Sequence, residues 1–480
     1  MQKIIEIHHG VTRHPDYRLA HPIDLTLYEG EPLAICGPNG GGKSLLVDIL
    51  TGAHPLLGDA ITYHLSLSAE GRCSEHIRHI TFRDVYGSAE PAYYQQRWNR
   101  GDDMGFPTVS EQLERICSAK GISLSEQSNL LERIGIAPHI SKPVNLLSSG
   151  ELRRFQLSKV LLESPRLLII DNPYIGLDVA ARESFTALLE TLAKRLTIVL
   201  VVSRPRDIPT FVSKVIHVAD KNVSQPVTRQ DYLVTHITTP SATTPPIVLP
   251  RPMDSHPASP YSGDSVVDFR HIHISYGSRI IFNDLNWEVK RGEHWAITGG
   301  NGSGKTTLLS LVCADNPIAY ACDIRLFGTK RGGGESIWDI KRRIGYVSPE
   351  MYSAYRKDLT AAEIVASGLH DTIGLYNRSR PADTEACRAW LSVFGAEELA
   401  DQNYLKLSSG QQRLILLVRA FVKNPDLLIL DEPFHGLDDA RQKRAKDVIN
   451  AYMADAQKTL IMVSHYREEL PECIDHQLNL

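Results

Sequence analysis

Short, uninterrupted apolar runs recur along the chain, and each has the length of a β-strand. They lie at 32–36, 167–170, 197–202, 427–430 and 460–463. Continuous apolar runs are typical of parallel strands that are buried on both faces. Helix-forming stretches alternate with them, at 43–50, 152–163 and 412–422. This alternation predicts an α/β fold with a mainly parallel sheet. Two further segments favour helix and predict a helical subdomain in each half, at 108–135 and 360–395.

A glycine-rich segment follows an apolar run in each half of the chain, and both have the form Gly-x-x-x-x-Gly-Lys-Ser/Thr. They occupy 37–44 and 299–306. In such a loop the glycines let backbone N–H groups surround a phosphate, the lysine adds positive charge, and the hydroxyl binds Mg2+. The residues expected to contact a nucleotide here are Gly37, Asn39, Gly40, Gly42, Lys43, Ser44, Gly299, Asn301, Gly302, Gly304, Lys305, Thr306 and Thr307.

Asp171 and Asp431 each end one of the apolar runs. A carboxylate at the tip of a buried strand, facing a phosphate loop, can hold Mg2+ and its waters. The alternative, an aspartate that only caps the next turn, is disfavoured because the Gly-Leu-Asp that follows is also repeated. The predicted Mg2+ site comprises Ser44 with Asp171 in the first half, and Thr306 with Asp431 in the second.

The two halves are copies of one domain. Lys305 follows Lys43 by 262 residues, and the other repeated motifs keep this spacing to within two residues. We expect the first domain over 1–234 and the second over 266–480, joined by a linker at 235–265 that is rich in Pro, Ser and Thr. Proline removes backbone donors and blocks helix, so we expect the linker to be an extended surface tether.

A third repeated segment reads Leu-Ser-Ser-Gly followed by Glu or Gln, and it opens a helical stretch in each half. Its central residues are Ser148, Ser149 and Gly150, and Ser408, Ser409 and Gly410. Taken alone, this segment is a helix cap. Together with the other motifs, it makes the chain resemble the ATP-binding-cassette (ABC) ATPases, over nearly the whole chain except the linker.

The resemblance implies two tandem P-loop NTPase domains of the ABC type that bind ATP with Mg2+. In that family two cassettes pack head to tail, and each ATP lies between the phosphate loop of one cassette and the signature helix of the other. We therefore expect the two cassettes to pair within the chain. Site one would combine the phosphate loop at 37–44 with 408–410, and site two the loop at 299–306 with 148–150.

The two expected sites differ in the residues that would act on water. The second half has Glu432 and His465 where the motif spacing places Asn172 and Arg204 in the first. By the resemblance, Glu432 polarises the water and His465 holds the γ-phosphate. Arg204 is a fixed charge of different shape, and binding of phosphate is the role left open for it. An amide cannot accept a proton, and loss of a general base costs about 10^2- to 10^4-fold in rate. We expect one competent site, site two. The alternative is that both sites hydrolyse ATP despite Asn172.

Two other family motifs are altered. Tyr276 fits the aromatic residue that stacks on adenine, whereas the same offset in the first half gives His14, with Tyr17 nearby. The alternative for each aromatic residue is a place in the apolar core. The glutamine loop of the family is replaced by Ser-Pro-Glu at 348–350, and the first half also lacks the glutamine. This loop normally links Mg2+ to the moving partner, so we expect unusual coupling.

Composition limits the partners and the location. The formal net charge of -4 makes nucleic acid an unfavoured partner. The seven cysteines include no Cys-x-x-Cys pair, which favours a reducing compartment. The sequence shows neither a signal-peptide core nor the roughly 20 consecutive apolar residues of a membrane span. We expect a cytoplasmic protein that contacts the inner face of the cell membrane only through a permease subunit.

The segments 292–295 and 332–348 resemble the ModF-type tandem cassette proteins, which are associated with molybdenum transport and with photorepair. The resemblance implies the ATPase subunit of an ABC transport system, of the molybdate type. The alternative is a soluble ABC ATPase with a regulatory role, or one associated with nucleic acid or ribosomes, and no transport. A third hypothesis is an ATP-sensing interaction module with very slow turnover.

Overall fold

The chain divides into two units, one for each copy of the repeated motifs. The computed structural model describes residues 2–65, 76–82, 107–237, 247–251, 263–276, 279–374 and 380–480. The described residues up to 237 belong to unit 1, and those from 247 onward belong to unit 2. Each unit contains one phosphate loop and one signature segment.

Unit 1 is built on two sheets. Its strands are β1 (Lys3–Gly10), β2 (Ile23–Tyr28), β3 (Leu33–Cys36), β4 (Ile61–Tyr63), β5 (Ile77–Thr81), β6 (Leu167–Asp171), β7 (Thr197–Val202), β8 (Lys214–Ala219), β9 (Asn222–Val223) and β10 (Val227–Thr228). The larger sheet has the order β10-β8-β3-β7-β6-β5, with β9 paired to β8. Its pairs from β5 to β8 are parallel. The smaller sheet, β2-β1-β4, is antiparallel.

Helices cover both faces of the larger sheet and form a separate lobe. The helices of unit 1 are α1 (Lys43–Leu50), α2 (Val109–Ala119), α3 (Ser128–Ile134), α4 (Ser149–Leu161), α5 (Val179–Ala193) and α6 (Arg229–Ile237). Helix α1 packs with the antiparallel sheet in one apolar cluster, whereas α5 packs in the cluster on the other face. Helices α2, α3 and α4 share a third cluster, which is the core of the helical subdomain.

Unit 2 repeats this arrangement. Its strands are β11 (Ser265–Tyr276), β12 (Arg279–Lys290), β13 (His294–Thr298), β14 (Asp323–Leu326), β15 (Thr329–Lys330), β16 (Ile344–Val347), β17 (Leu427–Asp431), β18 (Thr459–Val463) and β19 (His476–Asn479). Its helices are α7 (Lys305–Val312), α8 (Ile337–Lys341), α9 (Pro349–Ala354), α10 (Ala361–Ala366), α11 (Pro381–Val393), α12 (Ser409–Phe421) and α13 (Asp439–Met453). The parallel sheet has the order β16-β17-β18-β13-β19.

The two parallel sheets have the same topology. The order β5-β6-β7-β3-β8 in unit 1 matches β16-β17-β18-β13-β19 in unit 2. In each unit the strand before the phosphate loop, β3 or β13, lies beside the strand that follows the aspartate in the chain, β7 or β18. The phosphate loop and the loop after that neighbouring strand therefore lie at the same edge of the sheet. The predicted α/β class, with a mainly parallel core and a helical subdomain in each repeat, is confirmed.

The signature helices begin three residues before the helical stretches that the sequence predicts. Ser148 and Ser408 cap them, each in a capping box with Glu151 or Gln411. A serine at this position satisfies a backbone donor of the first turn, so the helix extends back to the cap.

Three stretches of the predicted linker are described, 235–237, 247–251 and 263–265. Helix α6 continues to Ile237, three residues past the predicted end of the first domain. Ile247 and Leu249 pack against the apolar cluster of unit 2 that combines the helical lobe with one face of the parallel sheet, while Val248 between them is exposed. At these two residues the linker therefore packs on unit 2. Residues 238–246 and 252–262 lie outside the described residues, and the domain limits 1–234 and 266–480 stay predictions.

Across the part of the chain that the structure describes, no helix is both long and apolar enough to span a bilayer.

Replacement of Gly345 by alanine tests the contact between β16 and the signature helix of unit 2. A methyl group at Gly345 would lie 2.1 Å from the backbone oxygen of Ala420, in α12. We expect Gly345→Ala to lower the free energy of unfolding of unit 2 by about 1–3 kcal/mol, because backbone must move to make room. Calorimetry of the nucleotide-free protein measures this. Gly300→Ala is the control, because a methyl group there meets nothing within 4 Å. Equal transitions for both variants would contradict the prediction.

Candidate functional site

Both phosphate loops have the same strand–loop–helix geometry. Each loop ends on a glycine in the left-handed region, Gly42 (φ 105°) and Gly304 (φ 106°), directly before α1 and α7. Glycine is required at Gly37 for a second reason, because a Cβ atom there would lie 2.0 Å from the backbone oxygen of Val218. Only glycine lets the backbone pass this closely and turn its N–H groups towards a phosphate.

The lysine of each phosphate loop donates hydrogen bonds to carbonyl oxygens of its own loop. Lys43 Nζ donates to the carbonyl oxygens of Gly37 (2.7 Å) and Pro38 (2.9 Å). Lys305 Nζ donates to those of Gly299 and Gly300, both at 2.8 Å. Only 8% of each lysine is exposed. A buried ammonium group fixed in this position presents its charge to an anion bound in the loop.

The predicted nucleotide residues lie together in both units. In unit 1 the loop residues Gly37, Asn39, Gly40 and Gly42 lead into α1, which begins with Lys43 and Ser44; in unit 2 Gly299, Asn301, Gly302 and Gly304 lead into α7, which begins with Lys305, Thr306 and Thr307. Asp171 ends β6 and Asp431 ends β17. In each sheet a single strand, β7 or β18, lies between the aspartate strand and the phosphate-loop strand. The structure therefore places both predicted sets at the carboxyl edge of the sheet, where ligands of open α/β sheets bind.

The carboxyl group of Asp431 lies in an environment that fits a cation. Burial raises the pKa of Asp431 well above its usual range, and the charges of Glu432 and Glu350 raise it further, while Lys305 opposes them. A divalent cation bound here would offset both the burial and the neighbouring negative charges. The residues present, with the hydroxyl of Thr306 at the start of α7, have the oxygen chemistry that Mg2+ prefers.

Glu432 contacts two histidines, one at each of its carboxylate oxygens. His465 Nε2 lies 2.8 Å from Oε1 of Glu432, and His435 Nδ1 lies 2.7 Å from Oε2. The contact of His435 has the length of a hydrogen bond and is an ion pair when the imidazole is protonated. Burial alone would raise the pKa of Glu432, but the charges of His435 and His465 outweigh it and hold that pKa well below its usual range. These contacts favour the ionised carboxylate and hold both of its oxygens in place.

Burial disfavours a charged imidazole at His435, yet the Glu432 carboxylate outweighs it and raises the pKa of His435. His435 is not among the site residues that the sequence motifs predict. The sequence signal for it is a difference between the repeats. His435 lies three residues after Glu432, whereas Ile175 lies three residues after Asn172.

Strand register corrects one sequence match. Asp171 pairs with Val201 in unit 1, and Asp431 pairs with Val463 in unit 2, so the repeats are offset by 262 residues here (463 − 201). The residue equivalent to His465 is therefore Ser203, not Arg204. The sequence match was wrong because it aligned Ser203 with Ser464, and β7 extends one residue further than β18.

Ser203 and Arg204 have separate local partners. Ser203 Oγ donates to Oδ1 of Asn39 in the phosphate loop at 2.9 Å. Arg204 Nε donates to Oδ2 of Asp207 at 2.8 Å, and Arg182 contacts the other oxygen of Asp207 at 2.9 Å. Arg204 thus lies in a buried ion-pair cluster beside the site.

Unit 1 has the same backbone as unit 2 at the positions that correspond to Glu432, His435 and His465, but its side chains there differ. Asn172 Nδ2 donates to Oδ1 of Asp171 at 2.8 Å, at the place where Glu432 meets its histidines. Ile175 and Ser203 replace His435 and His465. None of these three side chains accepts a proton at neutral pH.

The signature serines lie at the helix starts as predicted. Ser148 Oγ accepts a hydrogen bond from the backbone N of Glu151, and Ser408 Oγ from that of Gln411. Ser149 and Ser409 begin their helices, followed by Gly150 and Gly410. The pairing of each signature helix with the phosphate loop of the other unit concerns the two units together, and it stays a prediction.

The aromatic residues expected near the base differ between the units. Tyr276 ends β11 with 38% of its surface exposed, and its hydroxyl accepts a hydrogen bond from Asn316 Nδ2 at 3.2 Å. In unit 1, Tyr17 stacks on His54 with ring centroids 4.1 Å apart, while His14 caps a short 3-10 turn. The adenine-stacking role of Tyr276 stays a prediction.

The segment that replaces the glutamine loop joins the site to the signature helix of unit 2. Ser348 caps α9, and Glu350 in its first turn is one of the charges that raise the pKa of Asp431. Two residues later, the ring of Tyr352 lies 4.4 Å from the guanidinium of Arg413 in α12. Helix α9 therefore carries one residue whose charge acts on Asp431 and another that contacts the signature helix.

Two phosphate loops, two strand-end aspartates and two capped signature helices define a tandem P-loop ATPase. The family model for ABC transporter proteins matches residues 20–175 and 282–435, and the chain belongs to this family of ATP-binding, ATP-hydrolysing proteins.

Curated relatives and solved structures agree with this. The chain is 34% identical to the ABC transporter ATP-binding protein ModF of Escherichia coli, over 99% of this chain and 96% of that protein. It is 31% identical to an uncharacterised ABC transporter ATP-binding protein of Schizosaccharomyces pombe, over 93% and 91% of the two chains. A structure titled ribosome-bound archaeal Pelota and ABCE1 matches with a TM-score of 0.62 at 18% identity, over 98% of this chain and 75% of that one. This last likeness shows the fold alone.

Replacement of Arg204 by alanine separates a structural role from a phosphate-binding role. We expect Arg204→Ala to destabilise unit 1 by about 1–3 kcal/mol, because Asp207 loses one of two charged partners, while ATP turnover stays unchanged. Thermal unfolding and steady-state ATPase rates measure the two effects. Arg206→Ala, at an exposed position of the same turn, is the control. A large loss of turnover without destabilisation would return Arg204 to the nucleotide site.

Proposed function

We propose that this tandem ABC ATPase hydrolyses ATP at one composite site, site two, and binds ATP without turnover at site one. The observation that carries the proposal is the Glu432–His435–His465 cluster of unit 2, whose equivalents in unit 1 are Asn172, Ile175 and Ser203. Hydrolysis requires a group that accepts a proton from the attacking water. Glu432 supplies it in unit 2, and an amide cannot.

In site two, Lys305 and the backbone N–H groups at 299–304 bind the β- and γ-phosphates. Mg2+ would be held by Thr306 and Asp431, and when bound it neutralises phosphate charge. Glu432 accepts the proton of the attacking water. His465 releases the carboxylate and donates to the γ-phosphate, which stabilises the charge that develops there. Tyr276 stacks on the adenine.

Across the composite site, Ser148, Ser149 and Gly150 present the start of α4 to the γ-phosphate of this ATP. Site one pairs Lys43, Ser44 and Asp171 with Ser408, Ser409 and Gly410. ATP closes the cassette pair, and hydrolysis at site two opens it again.

The physiological role that we propose is the ATPase subunit of an ABC transport system, cytoplasmic and peripheral on the inner face of the membrane, with a permease as partner. The relationship to ModF over nearly the whole chain supports it, and a molybdate-type cargo is the finer form of this proposal. The rival is a soluble ABC ATPase associated with ribosomes or nucleic acid. The shared two-unit fold of the ribosome-bound ABCE1 structure favours it, whereas the net charge of -4 disfavours nucleic acid as a direct partner.

Glu432→Gln tests the one-site proposal. We expect steady-state turnover to fall by about 10^2- to 10^4-fold while ATP still binds, because the amide keeps the shape but cannot accept a proton. Asn172→Glu alone should give little added turnover, because Ile175 and Ser203 leave the new carboxylate without histidine partners. ATPase assays with a nucleotide-binding assay measure both. Half of the activity remaining in Glu432→Gln would show that site one hydrolyses ATP.

A stimulation assay separates the two roles. We expect inverted membrane vesicles that contain an ABC permease of this organism to raise the ATPase rate, with no response to ribosomes or DNA, because cassette subunits are activated by the partner that they move. Glu432→Gln protein gives the background. Stimulation by ribosomes or DNA and none by vesicles would favour the rival role.

A further inference from the structure

His435 is a buried histidine with a defined place beside the proposed base. Only 4% of it is exposed, and its backbone N–H lies 3.3 Å from the carbonyl oxygen of Glu432, in a tight turn that folds the two side chains together. Around the ring, the charges of Glu432 and Glu469 favour the protonated imidazole, and Arg413 opposes it. The ring therefore faces the carboxylate across a short, preformed turn.

The same turn exists in unit 1 without a histidine. Ile175 has its backbone N–H 3.4 Å from the carbonyl oxygen of Asn172, and its side chain is buried. The backbone conformation therefore does not depend on an imidazole at this position. What the imidazole adds in unit 2 is a second contact to Glu432, opposite the contact from His465.

The two contacts are not equivalent during turnover. Under the proposed function, His465 must turn to the γ-phosphate and so releases Oε1 of Glu432. His435 lies on the same turn as Glu432, so its contact with Oε2 does not depend on where His465 points. We expect this contact to stay when ATP binds.

We propose that His435 is a positioning residue for hydrolysis: it holds Oε2 of Glu432 so that Oε1 faces the attacking water once His465 has moved away. The carboxylate would otherwise rotate about its side-chain bonds and lose the orientation in which it accepts the proton. This inference rests on the proposed function of Glu432.

The test compares His435→Ile, the residue that unit 1 carries, with His435→Asn, which keeps a donor near the position of Nδ1. We expect His435→Ile to lower kcat by about 10- to 100-fold, since small displacements of a reacting group have this effect, with little change in KM for ATP. His435→Asn should retain more activity than His435→Ile. ATP binding and thermal unfolding are measured for both.

The order of the two variants decides the outcome. A role in packing alone predicts that the apolar His435→Ile is at least as active as His435→Asn, and that result would overturn the inference. Wild-type kcat in His435→Ile would overturn it as well. Glu432→Gln, measured in parallel, tests the proposed function itself: if that variant is active, the base has been misassigned, whichever result the His435 variants give.

Discussion

The pairing of β17 with β18 determines where the chemistry of unit 2 lies. Main-chain hydrogen bonds place Asp431 beside Val463, so the residues that follow these two strands leave the sheet at the same edge. Glu432 and His465 meet there, although 33 residues separate them (465 − 432). The loop strand β13 is the next strand of the sheet, and it brings the phosphate loop to the same edge. A one-residue change of register would separate all of these groups.

Much of this could be predicted from local sequence. Helix α1 begins and ends where its pattern indicates, because a glycine loop precedes it and its apolar residues face one sheet. The buried strands were visible as continuous apolar runs. The match of Arg204 to His465 failed because β7 is one residue longer than β18, and sequence spacing cannot show on which side of a motif a strand gains a residue. His435 was missed because its role depends on a contact, not on a motif.

The linker shows a second limit of sequence patterns. Its prolines predict an extended chain, but they do not show which side chains find a surface. Ile247 and Leu249 alternate with an exposed Val248, and this alternation is the pattern of a segment with one buried face. It is too short to stand out from the surrounding proline-rich composition. It packs on the apolar cluster that combines the helical lobe of unit 2 with one face of the parallel sheet.

Glu432 and Asn172 share one more property, a left-handed backbone with φ of 49° and 50°. This conformation costs a glutamate about 1–3 kcal/mol, whereas asparagine adopts it more readily. Unit 2 therefore holds conformational strain at the residue that would act on water, and the asparagine of unit 1 holds less. The same left-handed turn thus costs the fold of unit 1 less than a glutamate at that position would cost it.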